Sequence, residues 1–314
     1  MTTLSFPIRI GTRNSKLALR QAALLEAALI RAEPTLAATG CIVIVPMQSA
    51  GDWKPEQQEC SFAAMGGNKG LFAKELEVAL LERRIDIAIH SAKDLETVLA
   101  TGLTLACFLP RDDVRDAFIA PNVTHWRELP AGARVGTSSL RRAVQVLADR
   151  PDLVIAPLRG NVDTRLRKLR DGQVDATLLA LCGLQRLGLA DDCFHPLPTD
   201  VMLPAVAQGA LAVEMRDEPG ALYDLLRRLN CGVTERCVTL ERIFLHHLNG
   251  SCHTPVAALA TLAAGHRINF TALVAQPDGS NLVRRKLQLA DAEAATGVAS
   301  LGTELRAYLP PTAA

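Results

Sequence analysis

The sequence has 314 residues, of which 49% are hydrophobic and 21% are charged, and its formal net charge is +1. This composition excludes a disordered chain, and the near-neutral charge argues against a protein whose whole surface binds nucleic acid. The length predicts two or three domains. Because the N-terminus has no signal-peptide pattern and no apolar run approaches the ~20 residues that span a bilayer, we expect a cytoplasmic protein without a membrane partner.

Strand-like and helix-like segments alternate along most of the chain. The predicted strands are 8–11, 41–47, 85–89, 103–108, 116–120, 133–136, 153–156, 175–180 and 210–215. The predicted helices are 15–32, 71–84, 139–149, 161–170, 220–229 and 234–248. This alternation favours α/β units on mostly parallel sheets that are covered on both faces. The sequence contains no internal repeat.

Two segments depart from the alternation. Residues 48–70 are polar and Gly-rich and are too long for an ordinary connection, so they indicate either a mobile lid or a plain surface loop. Near the C-terminus, 267–275 and 281–289 flank Gln-Pro-Asp-Gly-Ser, which is a hairpin signal, and a helical run follows to about residue 308. This antiparallel pattern predicts a small separate α+β domain that starts near residue 230.

The basic charge is concentrated in residues 134–170, which hold eight arginines and one lysine against three aspartates. The phrases V-G-T-S-S-L-R-R (135–142) and L-R-G-N-V-D-T-R-L-R-K-L-R (158–170) each indicate a strand end, a turn with glycine and a helix start. Arginines, backbone N–H groups and a helix dipole together suit anions. Aromatic residues for stacking bases are absent from 134–170, so a small molecule with several carboxylates or phosphates fits better than nucleic acid.

Two further strand ends carry polar residues. The strand 85–89 runs into His-Ser-Ala-Lys-Asp, where Asp94 beside Lys93 could stay ionised and stabilise a positive charge, or could simply cap a helix. The segment Gly-Thr-Arg-Asn-Ser-Lys after the first strand places Arg13 and Ser15 in the same way, as an anion site or as an ordinary helix cap beside a surface arginine.

Cysteine and histidine spacing predicts no metal site. The eight cysteines include no C-x-x-C pair, and most lie in apolar runs that indicate buried free thiols. The seven histidines show no metal-binding spacing. Cys252 differs because it lies in the polar turn Asn-Gly-Ser-Cys-His-Thr-Pro, where it is either an inert loop residue or a nucleophilic thiol near cations.

Several long phrases together resemble the porphobilinogen deaminase family, also called hydroxymethylbilane synthases. They occur in family order and cover nearly the whole chain. They are G-T-R-N-S-K-L-A-L (11–19), K-G-L-F-A-K-E-L-E-V-A-L-L (69–81), D-I-A-I-H-S-A-K-D (86–94), V-G-T-S-S-L-R-R (135–142), L-R-G-N-V-D-T-R-L (158–166), G-L-Q-R-L-G-L (183–189), P-A-V-A-Q-G-A-L-A-V-E (204–214) and the turn at Cys252.

The resemblance implies two α/β domains like the halves of a periplasmic binding protein, with the site in the cleft between them, and a small C-terminal α+β domain. Domain 1 would comprise 1–108 and 206–229, domain 2 would comprise 109–205, and domain 3 would comprise 230–314. It also implies a monomer whose substrate is porphobilinogen, four molecules of which are condensed stepwise with loss of ammonia before water releases the linear tetrapyrrole.

The resemblance further implies a dipyrromethane cofactor, joined by a thioether to Cys252, and a catalytic aspartate at Asp94. The implied cofactor contacts are Cys252, Lys93, Ser91, Asp94, Thr137, Ser138, Ser139, Arg141, Arg142 and Arg159. The implied substrate contacts are Arg13, Ser15, Arg159, Arg165, Arg186 and Lys69. No metal is implied.

The chain departs from the commoner family wording at a few positions, none of which carries an implied chemical role. Ala92 stands where Met or Leu is usual, Glu96 stands for Pro, Ala207 and Ser251 replace frequent glycines, and Asn68 is an apparent insertion. Two other classes of function remain open. One is a non-catalytic anion-binding module of periplasmic-binding-protein architecture, and the other is an RNA-binding protein that uses the arginine cluster.

Overall fold

The computed structural model describes residues 4–47, 70–189, 193–249 and 254–309. Within these residues the chain forms two compact units. Unit 1 comprises 4–47, 70–112 and 209–236, and unit 2 comprises 113–189, 193–208, 237–249 and 254–309. No helix in the described ranges is both long and apolar enough to cross a membrane.

The helices and strands are numbered in chain order. The strands are β1 (Ile8–Arg13), β2 (Ile42–Met47), β3 (Ile87–Ser91), β4 (Leu103–Phe108), β5 (Asp116–Ile119), β6 (Arg134–Gly136), β7 (Val154–Ala156), β8 (Ala176–Ala180), β9 (Phe194–Pro196), β10 (Leu211–Arg216), β11 (Val256–Ala263), β12 (Arg267–Val274) and β13 (Val283–Ala290). The helices are α1 (Lys16–Ala32), α2 (Gly70–Leu81), α3 (Leu140–Asp149), α4 (Val162–Arg170), α5 (Leu181–Arg186), α6 (Ala221–Leu229), α7 (Gly232–His247) and α8 (Ala294–Leu305).

Unit 1 is built on a five-stranded sheet in the order β2-β1-β3-β10-β4. β1 is parallel to β2 and β3, whereas β10 is antiparallel to both of its neighbours, so four strands share one direction. The inward residues of β1, Ile8 and Ile10, are fully buried with α1 packed over them. On the other face, Gly11 leaves room for Leu76 of α2 and for Ile85, because an added Cβ would lie 3.0 Å from Leu76 Cδ2 and 2.3 Å from Ile85 Cδ1.

Unit 2 contains a second five-stranded sheet in the order β7-β6-β8-β5-β9. β6 is parallel to β7 and β8, and β5 is antiparallel to β8 and β9, so one strand again opposes four. The two sheets therefore share one strand order. Along the chain, however, the reversed strand of the first sheet, β10, follows its four partners, whereas the reversed strand of the second sheet, β5, precedes them. The core includes Trp126 and Phe118, whose rings meet edge to face at 6.3 Å.

The third sheet, also in unit 2, is antiparallel in the order β11-β12-β13. Helices α7 and α8 pack on it, and Phe244 of α7 meets Phe270 of β12 edge to face at 5.5 Å. The predicted α/β architecture with a small C-terminal α+β region is thus confirmed. The three-domain boundaries and the cleft stay predictions.

Candidate functional site

At one edge of the unit 1 sheet, the carboxyl ends of parallel β1 and β3 bring polar residues together. β1 ends at Arg13, and the Ser15 Oγ then caps α1 by accepting the Ala18 N–H at 3.2 Å. β3 ends at Ser91, whose Oγ accepts from Gln21 of α1 at 2.9 Å. A single 3-10 turn follows, Ala92–Asp94, which contains Lys93. Arg13, Ser15, Ser91, Lys93 and Asp94 are all half-buried.

Directly beside this edge lies a buried pair that sequence reasoning missed. His90 Nε2 is 3.0 Å from Glu214 Oε2, with side chains 8% and 0% exposed. The distance is that of an ion pair, although the angles are not those of a hydrogen bond. Burial, followed by the charge of Glu214, raises the pKa of the nearby Glu77 carboxyl. The sequence signal for this pair is Glu214, an acidic residue inside the otherwise apolar first part of strand β10.

In unit 2, the hydroxyl-rich turn Thr137–Ser139 follows the carboxyl end of β6, beside the residues that follow β7. The Ser139 N–H donates to Thr137 Oγ1 at 3.1 Å, and the Leu158 N–H donates to Ser138 Oγ at 3.2 Å. Ser139 is the N-cap of α3, but its side chain makes no capping hydrogen bond. The positive end of the α3 dipole therefore lies beside three hydroxyl groups, which suits an anion.

The ends of β7 and β8 in this sheet are followed by three more of the predicted arginines, Arg159, Arg165 and Arg186. Arg159 follows β7, and Gly160 then adopts φ +111°, where an added Cβ would lie 2.7 Å from Thr164 Cγ2. This turn lets Asn161 cap α4, and Arg165 Nε donates to the Gly160 carbonyl at 2.8 Å. Helix α5 follows β8 directly, and its last residue, Arg186, is only 9% exposed.

Arg141 and Arg142, predicted as anion contacts, lie in a buried network around Asp116. Arg141 Nη1 donates to Asp116 Oδ2 at 2.6 Å, and Arg142 Nη2 donates to Asp116 Oδ1 at 2.8 Å. The carboxylate is fully buried and each arginine is 5% exposed. Burial alone would raise the pKa of Asp116, but the two guanidiniums lower it well below its usual range.

Sequence reasoning missed Asp116. The only local signal is a charged residue at the start of the apolar strand Asp-Ala-Phe-Ile, and the strand was predicted without its first residue being singled out. Two predicted site residues, Cys252 and Lys69, lie outside the described residues, as does most of the segment 48–70. Within the described ranges, no group of three or more His, Cys, Asp or Glu side chains could hold a metal ion.

Comparisons with known proteins agree along the chain. Residues 8–224 match the family model described as porphobilinogen deaminase, dipyromethane cofactor binding domain, and residues 235–307 match the C-terminal domain of porphobilinogen deaminase. The chain is 48% identical to the chloroplastic porphobilinogen deaminase of Oryza sativa subsp. japonica, over 88% of this chain and 76% of that protein. It is 46% identical to the porphobilinogen deaminase of Sorangium cellulosum, over 95% of this chain and 98% of that protein.

Among solved structures, the methionine binding protein MetQ matches over 71% of this chain and 89% of that chain, with 13% identity and a TM-score of 0.44. That score is too low to establish a common fold. The family models and the relatives, in contrast, cover both units and every described strand end that carries a predicted site residue. The chain therefore belongs to the porphobilinogen deaminase family.

Proposed function

We propose that this chain is a hydroxymethylbilane synthase, which joins four porphobilinogen molecules stepwise with loss of ammonia and releases the linear tetrapyrrole with water. The observation that carries the proposal is the match of residues 8–224 to the dipyrromethane-binding domain of the family. The arginines and hydroxyl groups at the strand ends of unit 2 support it, because each pyrrole unit carries an acetate and a propionate.

The residues that the structure describes fit a dipyrromethane. Its carboxylates need guanidinium, hydroxyl and backbone N–H donors, and these are the groups at the ends of β6, β7 and β8. When bound, the cofactor supplies the pyrrole carbon to which the first substrate is joined. The proposed cofactor contacts are Cys252, Lys93, Ser91, Asp94, Thr137, Ser138, Ser139, Arg141, Arg142 and Arg159. The proposed substrate contacts are Arg13, Ser15, Arg159, Arg165, Arg186 and Lys69.

Asp94 is the proposed catalytic residue. When ammonia leaves porphobilinogen, positive charge develops on the remaining pyrrole, and a carboxylate held at the pyrrole N–H stabilises it. The position of Asp94 supports this role, since the 3-10 turn after β3 holds it half-buried rather than at the protein surface. Lys93 in the same turn and Ser91 at the end of β3 can fix ligand carboxylates beside it.

The remaining predictions belong to this proposal as well. We infer a cytoplasmic monomer with three domains, comprising 1–108 with 206–229, 109–205, and 230–314. The small third domain carries Cys252, to which the cofactor is attached by a thioether. A non-catalytic anion-binding module would need neither that cysteine nor a covalent adduct.

Intact-mass spectrometry tests the proposal. Purified protein should weigh more than its sequence by one dipyrromethane, peptide mapping should place the adduct on Cys252, and Cys252→Ala should lack both the adduct and activity. Cys182→Ala is the matched control, because that thiol is buried in the apolar start of α5 and should leave the adduct in place. An unmodified mass in active wild-type protein, or an adduct that persists in Cys252→Ala, would overturn the proposal.

A further inference from the structure

The network around Asp116 combines two positive charges with one negative charge inside the protein. Asp116 Oδ2 accepts from Arg141, and Oδ1 accepts from both Nε and Nη2 of Arg142, at 3.2 and 2.8 Å. Gln208 Nε2 also donates to Oδ1, at 3.0 Å. Because the two guanidiniums lower the pKa of Asp116, the carboxylate is ionised at neutral pH. The three side chains together therefore carry one net positive charge.

The two arginines use their donors unequally. All three nitrogens of the Arg142 guanidinium donate within the fold, Nε and Nη2 to Asp116 and Nη1 to the Leu178 carbonyl at 2.8 Å. Arg141 donates through Nη1, to Asp116 and to the Leu203 carbonyl at 2.8 Å. Its Nε is buried and has no hydrogen-bond partner in the described part of the chain. An unmet buried donor is costly, and a ligand carboxylate would relieve that cost.

A further contact fixes the direction of the Arg141 side chain. Gln145, one helical turn later on α3, donates to the Arg141 and Leu203 carbonyls, each at 3.1 Å, and accepts the Leu203 N–H at 2.8 Å. The Leu203 carbonyl thus meets Arg141 and Gln145 together. Asp116 and Leu203 hold Nη1 from two sides, so the guanidinium has a defined orientation.

We propose that Asp116 and Arg142 are positioning residues, and that their pairing leaves one positive charge and the free donor of Arg141 for a single carboxylate of the pyrrole chain. This inference rests on the proposed function and changes one of its proposed contacts, because Arg142 would act through Asp116 and Arg141 instead of contacting the cofactor. It follows that loss of Arg142 alone lets Asp116 neutralise Arg141, which removes the attraction for the anion. Loss of Asp116 together with Arg142 leaves the positive charge of Arg141 without a carboxylate to pair with, so it can again attract the anion.

The test is the fraction of purified protein that carries the dipyrromethane, measured by intact mass, in wild type, Arg142→Gln and Asp116→Asn/Arg142→Gln. Wild type should be loaded, loading should fall by about tenfold or more in Arg142→Gln, and the double variant should regain most of it. Asp113→Asn is the matched control, since it removes a half-exposed aspartate–arginine pair on the same segment and should stay loaded. Loading in a folded double variant at or below that of Arg142→Gln would overturn the inference.

A pair of lysine variants decides the question if the double variant does not fold, which urea denaturation would report. Arg141→Lys keeps the charge but loses the Nε donor, whereas Arg142→Lys keeps the charge that pairs with Asp116. Loading should fall several-fold more in Arg141→Lys than in Arg142→Lys. Equal losses, or a larger loss in Arg142→Lys, would contradict the inference. Absence of the adduct from wild type would instead contradict the proposed function, so the two failures are distinguishable.

Discussion

Two aspartates close to strand ends, Asp94 and Asp116, have different surroundings, and we propose different roles for them. Asp94 follows β3 in a half-buried turn, and the sequence phrase that contains it was enough to propose a catalytic role for it. Asp116 begins β5 and is fully buried between two guanidiniums. Its partners lie 25 and 26 residues further along the chain, so their meeting depends on how β5 joins the sheet. Local sequence patterns do not contain that information.

The Asp94 assignment leads to a first prediction. Asp94→Asn should nearly abolish turnover of porphobilinogen but leave the fold and the covalent adduct largely intact, because it removes only the charge that stabilises a developing cation. The expected rise in the barrier is about 3 kcal/mol or more. Rate assays on the variant, with its mass and circular dichroism spectrum, provide the check. Asp217→Asn, at an exposed aspartate, is the control; near-normal turnover by folded Asp94→Asn would refute the assignment.

Ala207 carries a second prediction. Its φ is +60°, in the left-handed region, and its N–H donates to the buried Glu241 carboxylate at 2.6 Å. This conformation destabilises the folded state of a residue with a Cβ by about 1–2 kcal/mol. Replacement by glycine removes that strain, but the greater freedom of glycine in the unfolded chain lowers stability by about 0.4–1 kcal/mol. Ala207→Gly should therefore raise the free energy of unfolding slightly, measured by urea denaturation. Ala205→Gly, without a positive φ, should lower it, and the same sign in both variants would contradict this account.

Most helices and strands could be predicted to within a few residues because their apolar periodicity is local. The strand 103–108 matches β4, and the hairpin signal at Pro277-Asp-Gly279 joins β12 to β13. Three elements were not predicted, namely α5, β9 and β11. α5 and β9 have only six and three residues, and β11 is rich in alanine, which is depleted in strands. The rule that ligands bind beyond strand ends located most of the described candidate site, but not His90–Glu214 or Asp116.

The hairpin between β12 and β13 packs against α3 through Gly279, which leads to a third prediction. Gly279 has φ +85°, and an added Cβ would lie 2.8 Å from Leu147 Cβ and 3.0 Å from the Ala148 nitrogen. Gly265, in the turn before β12, has φ +71° but nothing within 4 Å of such a Cβ. Both alanine variants introduce backbone strain, whereas only Gly279→Ala also forces the hairpin away from the helix.

Urea denaturation of the two variants measures the difference. Gly265→Ala should lower the free energy of unfolding by about 1 kcal/mol, the cost of the left-handed conformation. Gly279→Ala should lower it by roughly a further 1–3 kcal/mol, as other overpacked contacts do. Equal losses would mean that the contact between the hairpin and α3 contributes nothing to stability.

At the scale of the whole molecule, Asp116 predicts how stability depends on pH. Its pKa is lowered in the folded state from an ordinary value of 3.8, so the folded protein favours the ionised form. Its contribution is therefore fully present above about pH 4 and is lost as the pH falls towards the folded pKa. The urea midpoint should decline below pH 4 in wild type and less steeply in Asp116→Asn. Asp113→Asn, at a half-exposed pair, should change this slope less; an unchanged slope in Asp116→Asn would contradict the prediction.

The shared strand order of the two five-stranded sheets is the feature that the sequence hid most completely. No internal repeat is visible, yet both sheets place one reversed strand between the third and fourth parallel strands. Strand order depends on the backbone path, and many sequences can satisfy one path. The reversed strands also occupy different places along the chain, since β10 follows the other strands of its sheet and β5 precedes them. A search for repeats in linear order cannot detect such a relationship.

The late position of β10 affects how the chain folds during synthesis. β10 lies between β3 and β4, but its residues leave the ribosome about a hundred positions after β4. The five-stranded sheet of unit 2 has all its strands once β9 has emerged at Pro196, before Leu211 is made. Until β10 is made, β3 and β4 lack the strand that lies between them. The backbone N–H and C=O groups on the edges that face β10 are then unpaired and can bind other extended chains. The five-stranded sheet of unit 1 is therefore begun before that of unit 2 but completed after it. We expect the unpaired edges of β3 and β4 to be the part of the nascent chain that most needs protection from aggregation.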